Sequence, residues 1–374
     1  MLVRSIETHR FRNLADQRVE PGPRFNVLFG DNAQGKTNFI EAVYVAACLK
    51  SFRAQRSAEL VQLGAEEARL RADVEAGGSR RELEVVLHRG GRRARLDGKG
   101  VRSGTAYLEG GFNVVLFTPD DVQLPRGSPA ERRRLLDRAI TNIWPAYLAA
   151  GREYQKTLQS RNRVLRDASR YTTSQLQGML AAYDEQLGDK GARVVAARQR
   201  FLGRLGPRFS EVFTELCGGT TLGSLCYVSP PSLARAGGNV GAIARALREE
   251  LCRALKTDRA RQTTTVGPHT HDVEFRLDGR ATRSLGSQGQ HRALVLAFKI
   301  AQVVDAYETR DDYPVLLLDD VSSELDEHRN QFLFDFIKQI PCQAFLSTTR
   351  PELVVLAENR VDYQVVKGII RCVK

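Results

Sequence analysis

A glycine-rich loop near the start of the chain holds the residues best suited to chemistry. It runs from Gly30 to Gly35 and ends with Lys36 and Thr37, in the order G-x-x-x-x-G-K-T. Glycine adopts backbone conformations closed to other residues, so successive N–H groups of such a loop can converge on one anion. In this pattern the lysine reaches the β- and γ-phosphates of a nucleotide such as ATP, and the threonine hydroxyl binds Mg²⁺. The predicted triphosphate contacts are Gly30, Asp31, Asn32, Ala33, Gln34, Gly35, Lys36, Thr37 and Asn38.

Two adjacent carboxylates end an apolar stretch much later in the chain. Asp319 and Asp320 follow residues 315–318, whose composition predicts a buried strand. Beside the glycine loop, Asp319 would bind Mg²⁺ or its water, and Asp320 would polarise an attacking water. With Lys36, these two acids are the predicted catalytic residues. A strand-end turn that happens to hold two acids is the alternative.

A third group of candidate residues lies about thirty residues before the acids. Ser287, Gly289 and Gln290 stand at the start of a predicted helix, where free backbone N–H groups favour an anion. Taken alone, the pattern S-x-G-Q is equally compatible with an ordinary helix cap. Its position ahead of the acidic strand makes a nucleotide contact the stronger interpretation.

The elements that must position these residues come from both ends of the chain. Residues 25–29 predict a buried strand before the glycine loop, and residues 38–44 predict a helix after it. We expect residues 1–125 and 267–374 to form one α/β lobe, and residues 126–266 to form a mostly helical second lobe.

Two apolar seams in the middle of the chain predict an inserted pair of antiparallel helices. Pro145 should interrupt the first seam, and Gly188 and Gly191 should weaken the second. At ~1.5 Å per residue the arm would be about 40–50 Å long. The predicted fold is therefore α/β, an ATPase head built from both chain ends with an inserted short antiparallel helical arm.

The amino-acid composition indicates what kind of partner the chain binds and in which cellular compartment it is expected. The 374 residues carry a formal charge of +12, and the sequence pI is about 9.6. Such a surplus suggests a polyanion such as nucleic acid, although a diffuse solvated surface is the alternative. The six cysteines are scattered, which favours reduced thiols over a disulfide framework or zinc. With no signal-like N-terminus and no long apolar run, we expect a soluble cytoplasmic protein without a membrane partner.

The order of these motifs resembles that of ABC-type ATPases. In that superfamily the segment at 287–290 corresponds to the signature motif, and residues 322–326 correspond to the D-loop. Thr349 stands where transporters place a switch histidine, so rapid transport-style hydrolysis is not expected. The resemblance implies that the glycine loop of one protomer faces the signature of another across ATP, giving an ATP-dependent homodimer.

Shorter blocks are spread over nearly the whole chain, at residues 11–14, 51–53, 117–121, 127–137, 267–269, 286–290 and 318–326. Together these blocks resemble the RecF family of recombination mediators, which are related to SMC proteins. Pro125, Leu135 and the pair Thr270-His271 depart from the family pattern and affect local geometry. The resemblance implies a weak DNA-stimulated ATPase that binds DNA at single-/double-strand junctions or gaps. It also implies cooperation with RecO and RecR to load RecA, and release on hydrolysis.

The remaining candidates have weaker support. Arg12 and Asn13 would touch the ribose or α-phosphate, or else serve as strand-end or cap residues. One of three residues, Asp120, Asp121 or Gln123, would sense Mg²⁺. Of these, Asp120 is predicted to bind the metal ion. Basic side chains along the arm would line a sequence-independent DNA groove, or else form a solvated helix face. They are Arg132, Arg133, Arg134, Arg152, Lys156, Arg161, Arg163 and Arg166.

Two alternative functions stay open at this point. One is a nucleotide-binding subunit of an ABC transporter, and the other is an ATP-powered DNA-processing nuclease. DNA-stimulated ATP turnover would argue against the first, and the absence of Mg²⁺-dependent DNA cleavage would argue against the second.

Overall fold

The computed structural model describes residues 1–283, 286–321 and 325–373, so residue 285 and the D-loop residues 322–324 lie outside the described residues. The strands are β1 (Leu2–His9), β2 (Gln17–Val19), β3 (Phe25–Phe29), β4 (Glu67–Ala76), β5 (Ser79–His88), β6 (Gly91–Leu96), β7 (Lys99–Gly100), β8 (Val114–Phe117), β9 (Gly223–Val228), β10 (Asp272–Leu277), β11 (Arg280–Ala281), β12 (Val315–Asp319), β13 (Ala344–Thr348), β14 (Arg360–Val366) and β15 (Ile369–Cys372). The helices are α1 (Lys36–Cys48), α2 (Gly104–Gly110), α3 (Pro129–Ile143), α4 (Ala146–Arg166), α5 (Thr173–Leu216), α6 (Pro231–Ala234), α7 (Val240–Arg261), α8 (Gln288–Arg310) and α9 (Glu327–Gln339).

The chain forms two compact units. The first, here the ATPase unit, comprises residues 1–123, 215–219 and 287–374. The second, here the helical unit, comprises residues 124–214 and 220–286. The helical unit therefore includes residues 267–286, which the sequence pattern placed with the ATPase segments. Those residues contain β10 and β11, which form a three-stranded sheet with β9.

The central sheet of the ATPase unit joins the two ends of the chain. Its strand order is β15-β14-β3-β13-β12-β8, and every neighbouring pair except β14-β15 is parallel. The strands β3, β12 and β13 are almost wholly buried, which accounts for their unbroken apolar sequences. Because β13 lies between β3 and β12, the glycine loop and the paired acids emerge from the same edge of the sheet. The α/β head built from both chain ends is confirmed.

The second sheet of the ATPase unit is antiparallel throughout. Its strand order is β2-β1-β4-β5-β6-β7, and along most of β4 buried residues alternate with more exposed ones. Tight turns at 89–90 and 97–98 connect β5 to β6 and β6 to β7. This sheet contributes one apolar face to the core and leaves the other face solvated.

The helical unit contains the predicted antiparallel pair. Helix α3 ends before Pro145 and α4 begins after it, as the sequence indicates. Lys190 Nζ of α5 donates to Thr157 Oγ1 of α4 at 2.8 Å, whereas Arg161 Nε further along α4 meets Asp184 Oδ1 earlier in α5 at 2.7 Å. Contacts that run in opposite directions along the two helices establish the antiparallel arrangement.

Helix α5 is longer and more continuous than predicted. It spans 44 residues without a break at Gly188 or Gly191, which corresponds to about 66 Å at ~1.5 Å per residue. A Cβ at Gly188 would lie 2.5 Å from Arg248 Cγ, and one at Gly191 would lie 3.0 Å from a methyl group of Leu247. Both contacts are with α7, so the glycines permit close helix packing, and this packing outweighs their low helix propensity.

Two arginines of the predicted DNA groove are buried in ion pairs. Arg132 is 1% exposed and pairs with Asp272 through Nε at 3.0 Å and Nη2 at 2.5 Å. Arg161 is fully buried between Asp184 and Asp258, with Nη1 2.7 Å from Asp258 Oδ2. The prediction that these two residues line a DNA groove is wrong, because their charge is neutralised inside the helical unit. The spacing of residues along a helix does not reveal that an acid far away in the sequence will pair with one of the helix's arginines and bury it.

A polar network continues through the core of the helical unit. Arg198 binds both carboxylate oxygens of Asp137 at 2.9 Å and donates to the carbonyl of Pro268 at 2.6 Å. Tyr227 bonds to His271 Nδ1 at 2.8 Å. Burial and the nearby Arg198, His269 and Arg133 lower the pKa of His271 to about 3, so this ring is neutral at pH 7.

Two further properties concern the surface and the cysteines. Within the described ranges, none of the helices is both long and apolar enough to cross a membrane. Cys252 and Cys372 are exposed, whereas Cys342 is buried, and burial raises the pKa of its thiol to about 12.

Replacing Arg161 tests the buried ion pair. Arg161→Met leaves Asp258 and Asp184 without their cation, and we expect the free energy of unfolding to fall by about 3–5 kcal/mol. Urea denaturation followed by circular dichroism measures this loss. Arg163→Met is the matched control, because Arg163 lies on the same helix with its side chain 82% exposed and should change stability by less than about 0.5 kcal/mol. Equal effects of the two substitutions would contradict the assignment.

Candidate functional site

The glycine loop needs glycine at both of its ends. Gly30 has a φ of 148° and Gly35 a φ of 117°, both in the region that disfavours other residues. A Cβ at Gly30 would lie 2.5 Å from the carbonyl oxygen of Val365 on β14. Gly35 directly precedes α1, so the loop leads into the free N–H groups of a helix N-terminus. Asp31, Asn32 and Ala33 form the exposed crest of the loop.

Lys36 is folded into this loop. Its Nζ donates to the carbonyl oxygens of Gly30 at 2.7 Å and Asp31 at 2.8 Å. Burial lowers the pKa of Lys36, although the charges of Asp320, Asp319 and Asp31 act in the opposite direction. The loop therefore presents a cation close to its backbone N–H groups, as binding of a phosphate requires.

Asp319 joins the glycine loop to the acidic strand. Its Oδ1 accepts hydrogen bonds from Thr37 Oγ1 at 2.7 Å and from Ser347 Oγ at 2.6 Å. Burial raises the pKa of Asp319, and these hydrogen bonds only partly offset that effect. A buried carboxylate beside a threonine hydroxyl suits Mg²⁺, which prefers hard oxygen ligands, and a cation there would favour the ionised form. Thr37 and Asp319 therefore fit the predicted metal site.

Ser347 is a site residue that the sequence analysis missed. Its hydroxyl and its carbonyl oxygen each accept from the backbone N–H of Asp320 at 3.1 Å. Asp320 has a φ of 49°, so the backbone turns sharply directly after β12. Ser347 thus positions both acids from the neighbouring strand β13. The polar S-T-T ending of an otherwise apolar strand was the available signal.

Arg12 and Asn13 support the loop from outside. The guanidinium of Arg12 forms two hydrogen bonds with the buried Glu41, at 2.9 and 3.0 Å, which matches the predicted alternative of a strand-end role. Asn13 donates to the carbonyl of Ala33 at 3.2 Å and accepts from Asn38 at 2.7 Å. Asn13 and Asn38 therefore hold the crest of the loop and the start of α1 together.

The predicted signature residues form a helix cap. Ser287 Oγ accepts from the backbone N–H of Gln290 at 3.1 Å, and Gln290 Oε1 accepts from the N–H of Ser287 at 2.8 Å. A Cβ at Gly289 would lie 3.3 Å from the guanidinium of Arg329 on α9. Ser287 itself is exposed. The cap does not exclude an anion site, because a well-capped N-terminus still carries positive potential.

The predicted metal residue Asp120 lies in a short turn at Pro119–Gln123, directly after β8. Because β8 pairs with β12, with Phe117 opposite Leu318, this turn follows the same edge of the sheet as the acids. Asp120 is exposed, whereas its neighbour Asp121 is buried and pairs with Lys299 Nζ of α8 at 3.0 Å. Asp121 therefore has a structural role, and Asp120 is the acid left accessible to solvent.

Comparisons with known proteins point to one family. Residues 2–370 match the family model described as the RecF/RecN/SMC N terminal domain. A protein of Anaeromyxobacter sp. (strain Fw109-5), named DNA replication and repair protein RecF, is 41% identical over 372 residues, which cover 99% of each chain. A RecF protein of Myxococcus xanthus (strain DK1622) is 40% identical and covers 95% of this chain and 92% of its own.

Solved structures give the same result. A structure of the recombination mediator protein RecF with ATP, in the RecFOR pathway, has a TM-score of 0.89 and 27% identity and covers 100% of this chain and 98% of its own. An SMC head bound to the C-winged helix domain of ScpA has a TM-score of 0.56 at 16% identity, covering 100% of this chain and 97% of its own. The second likeness concerns the fold alone.

Replacing Lys36 tests the glycine loop. Lys36→Ala removes a charge-assisted contact to phosphate, and we expect the Kd for MgATP to rise roughly 10- to 100-fold. Isothermal titration calorimetry measures the change. Lys99→Ala, which removes an exposed lysine of β7, should bind as the unaltered chain does. Unchanged binding by Lys36→Ala would place the triphosphate elsewhere.

Proposed function

Because the chain belongs to the RecF family of RecF/RecN/SMC proteins, we propose that it is an ATP-dependent, DNA-binding recombination mediator. In this proposal it dimerises on ATP and binds DNA at single-/double-strand junctions or gaps. It then helps to load RecA together with RecO and RecR, and slow, DNA-stimulated ATP hydrolysis releases it. One observation carries the nucleotide part: Thr37, Asp319 and Ser347 are hydrogen-bonded together beside the glycine loop.

The chemistry of hydrolysis follows from the same edge of the sheet. Lys36 and the loop N–H groups would bind the β- and γ-phosphates, and Thr37 and Asp319 would hold Mg²⁺. Asp120, in the turn after β8 at the same edge of the sheet, would be the further metal residue. Bound Mg²⁺ would neutralise phosphate charge in the transition state. Asp320 would orient the attacking water. These are the roles that the buried Asp319 and the adjacent Asp320 support best.

Dimerisation would complete the site. The exposed Ser287, with Gly289 and Gln290, would contact the γ-phosphate bound by the other protomer. A ligand that binds only the dimer stabilises it by mass action, so ATP would hold the protomers together and its hydrolysis would release them. Two equivalent sites of this kind close as a two-fold symmetric pair.

DNA binding would use the exposed part of the predicted arm groove. Arg134, Arg152, Lys156, Arg163 and Arg166 are exposed on α3 and α4. Arg133 is partly buried and donates to the carbonyl of His271, so its contribution would be smaller. Long basic side chains on a helix suit the phosphate backbone and carry no base specificity.

Two other classes remain the alternatives, a transporter subunit and a DNA-processing nuclease. Thr349 is exposed directly after β13, at the position of the transporter switch histidine, and threonine is not a general base at neutral pH. ATP turnover that is indifferent to DNA would favour the transporter class. Mg²⁺-dependent DNA cleavage that survives Lys36→Ala would favour the nuclease class.

Sedimentation velocity with ATP tests the composite site. The chain has a mass of 41.7 kDa, so a dimer is expected at about 83 kDa. Ser287→Arg should bind ATP as a monomer but fail to dimerise, because a bulky cation replaces the γ-phosphate contact. Asp320→Asn should accumulate as dimer, because binding survives and hydrolysis is lost.

A matched control exists for the serine substitution. Ser128 caps α3 through the same reciprocal arrangement, with Glu131 in the place of Gln290. Ser128→Arg therefore loses an equivalent cap, worth about 1 kcal/mol, and should still dimerise. A Ser287→Arg protein that dimerised with ATP would overturn the composite site.

Salt dependence of DNA binding tests the arm surface. The triple variant Arg134→Gln, Lys156→Gln and Arg163→Gln should bind a gapped duplex more weakly, and the log–log salt slope should fall by roughly 0.9 per lost phosphate contact. Fluorescence anisotropy between 50 and 200 mM salt would measure it. Arg93→Gln, Lys99→Gln and Arg102→Gln remove the same charge from exposed positions of the ATPase unit. If only this second set of substitutions weakened binding, the DNA-binding surface would lie on the ATPase unit and not on the arm.

A further inference from the structure

The turn that joins β14 to β15 contacts the glycine loop through its backbone. Lys367 N–H donates to Gln34 Oε1 at 2.7 Å, and Gly368 N–H donates to the carbonyl oxygen of Gln34 at 2.8 Å. On its other side, Gly368 O accepts from Ala15 N–H at 3.0 Å and from Gln17 Nε2 at 2.8 Å. The turn is therefore held between the loop and the segment after β1.

The fit around Gly368 is too close for a side chain. A Cβ there would lie 2.0 Å from the carbonyl oxygen of Asn13, and backbone atoms do not yield easily. Asn13 in turn bonds to the carbonyl of Ala33 in the loop. Gly35 lies on the same side, where its Cβ would be 3.5 Å from Gly368 Cα. Loop, turn and N-terminal segment thus form one close-packed backbone cluster.

The need for glycine in a tight turn does not by itself explain the close contacts around Gly368. Gly279, in the hairpin between β10 and β11, has a φ of 78°, almost the same as the 79° of Gly368. A Cβ at Gly279 would meet no atom within 4 Å. Both positions need glycine for the backbone conformation, but only Gly368 touches the residues that support the glycine loop.

The hydrogen bond from Gly368 fixes the direction of a neighbouring donor. The peptide between Gln34 and Gly35 is planar and trans, so its C=O and N–H point in opposite directions. Because Gly368 N–H holds the Gln34 carbonyl toward the turn, the Gly35 N–H is directed away from the turn. An oriented N–H at this position is one of the donors that a phosphate-binding loop requires.

We propose that the turn 367–368 is a positioning element of the nucleotide site, and that it sets triphosphate affinity by orienting the 34–35 peptide of the glycine loop. The inference rests on the ATP binding proposed above. This positioning requires no direct contact of Lys367 or Gly368 with a phosphate. Their role is to hold the Gln34 carbonyl and, through it, the Gly35 donor.

A pair of matched glycine substitutions tests the proposal. Gly368→Ala and Gly279→Ala carry the same backbone penalty, but only the first displaces Asn13 and the turn. We expect Gly368→Ala to raise the Kd for MgATP at least tenfold and Gly279→Ala to leave it within twofold. Calorimetric titrations should be made at a temperature where circular dichroism shows both variants folded.

A milder substitution covers the case in which Gly368→Ala does not fold. Gln17→Ala removes the side chain that bonds to Gly368 O and to Ile370 N–H, and it introduces no clash. We expect a threefold or greater rise in the Kd for MgATP. The control is Gln331→Ala, which removes an exposed glutamine of α9, and it should have no effect on binding.

Two results would overturn the proposal. One is a wild-type Kd in folded Gly368→Ala and in Gln17→Ala. The other is an equal loss of affinity in Gly279→Ala, which would trace the effect to general destabilisation. Failure of the unaltered chain to bind MgATP would overturn the proposed function itself, and it is distinguishable because it appears without any substitution.

Discussion

A single buried carboxylate joins the two ends of this chain. Asp319 accepts from Thr37, which lies 282 residues earlier, and from Ser347 on the strand between them in the sheet. That contact exists only when β3, β13 and β12 are paired in parallel and in register. Parallel strands need long crossovers, so a whole helical unit can be inserted between the two halves without disturbing the sheet. The position of the nucleotide site therefore depends on sheet register more than on any local motif.

The sequence predicts the parts of this site that are local. The glycine loop, the acidic strand and the S-x-G-Q cap each occupy a few consecutive residues, and the structure places each at the predicted element boundary. Ser347 and the turn 367–368 escaped prediction because their roles arise from strands that meet only after folding. Arg132 and Arg161 were misjudged for the same reason, since the acids that bury them are distant in sequence. Gly188 and Gly191 show that tertiary packing outweighs helix propensity.

The two units are stabilised in different ways. The ATPase unit has a conventional apolar core around its central sheet, with nearly every residue of β3, β12 and β13 buried. The helical unit combines apolar seams with a polar network in which the buried Arg198 and Tyr147 bond to the partly exposed Asp137. Such networks fix one arrangement of helices because a shift in register leaves charges uncompensated. A long pair of helices with a purely apolar seam would tolerate sliding more easily.

The distribution of thiols described above has a practical consequence for spectroscopy. Cys252 is exposed on α7 of the helical unit, and Cys372 is exposed on β15 of the ATPase unit. Thiolates are the nucleophiles that add to maleimide dyes, so burial and the raised pKa of Cys342 protect that residue at neutral pH. Cys48, Cys217 and Cys226 have intermediate exposure, so Cys252 and Cys372 are the most accessible of the six thiols. Once the partly exposed Cys48, Cys217 and Cys226 are replaced, a dye on Cys252 would report on the helical unit and a dye on Cys372 on the ATPase unit, at positions that already carry a thiol.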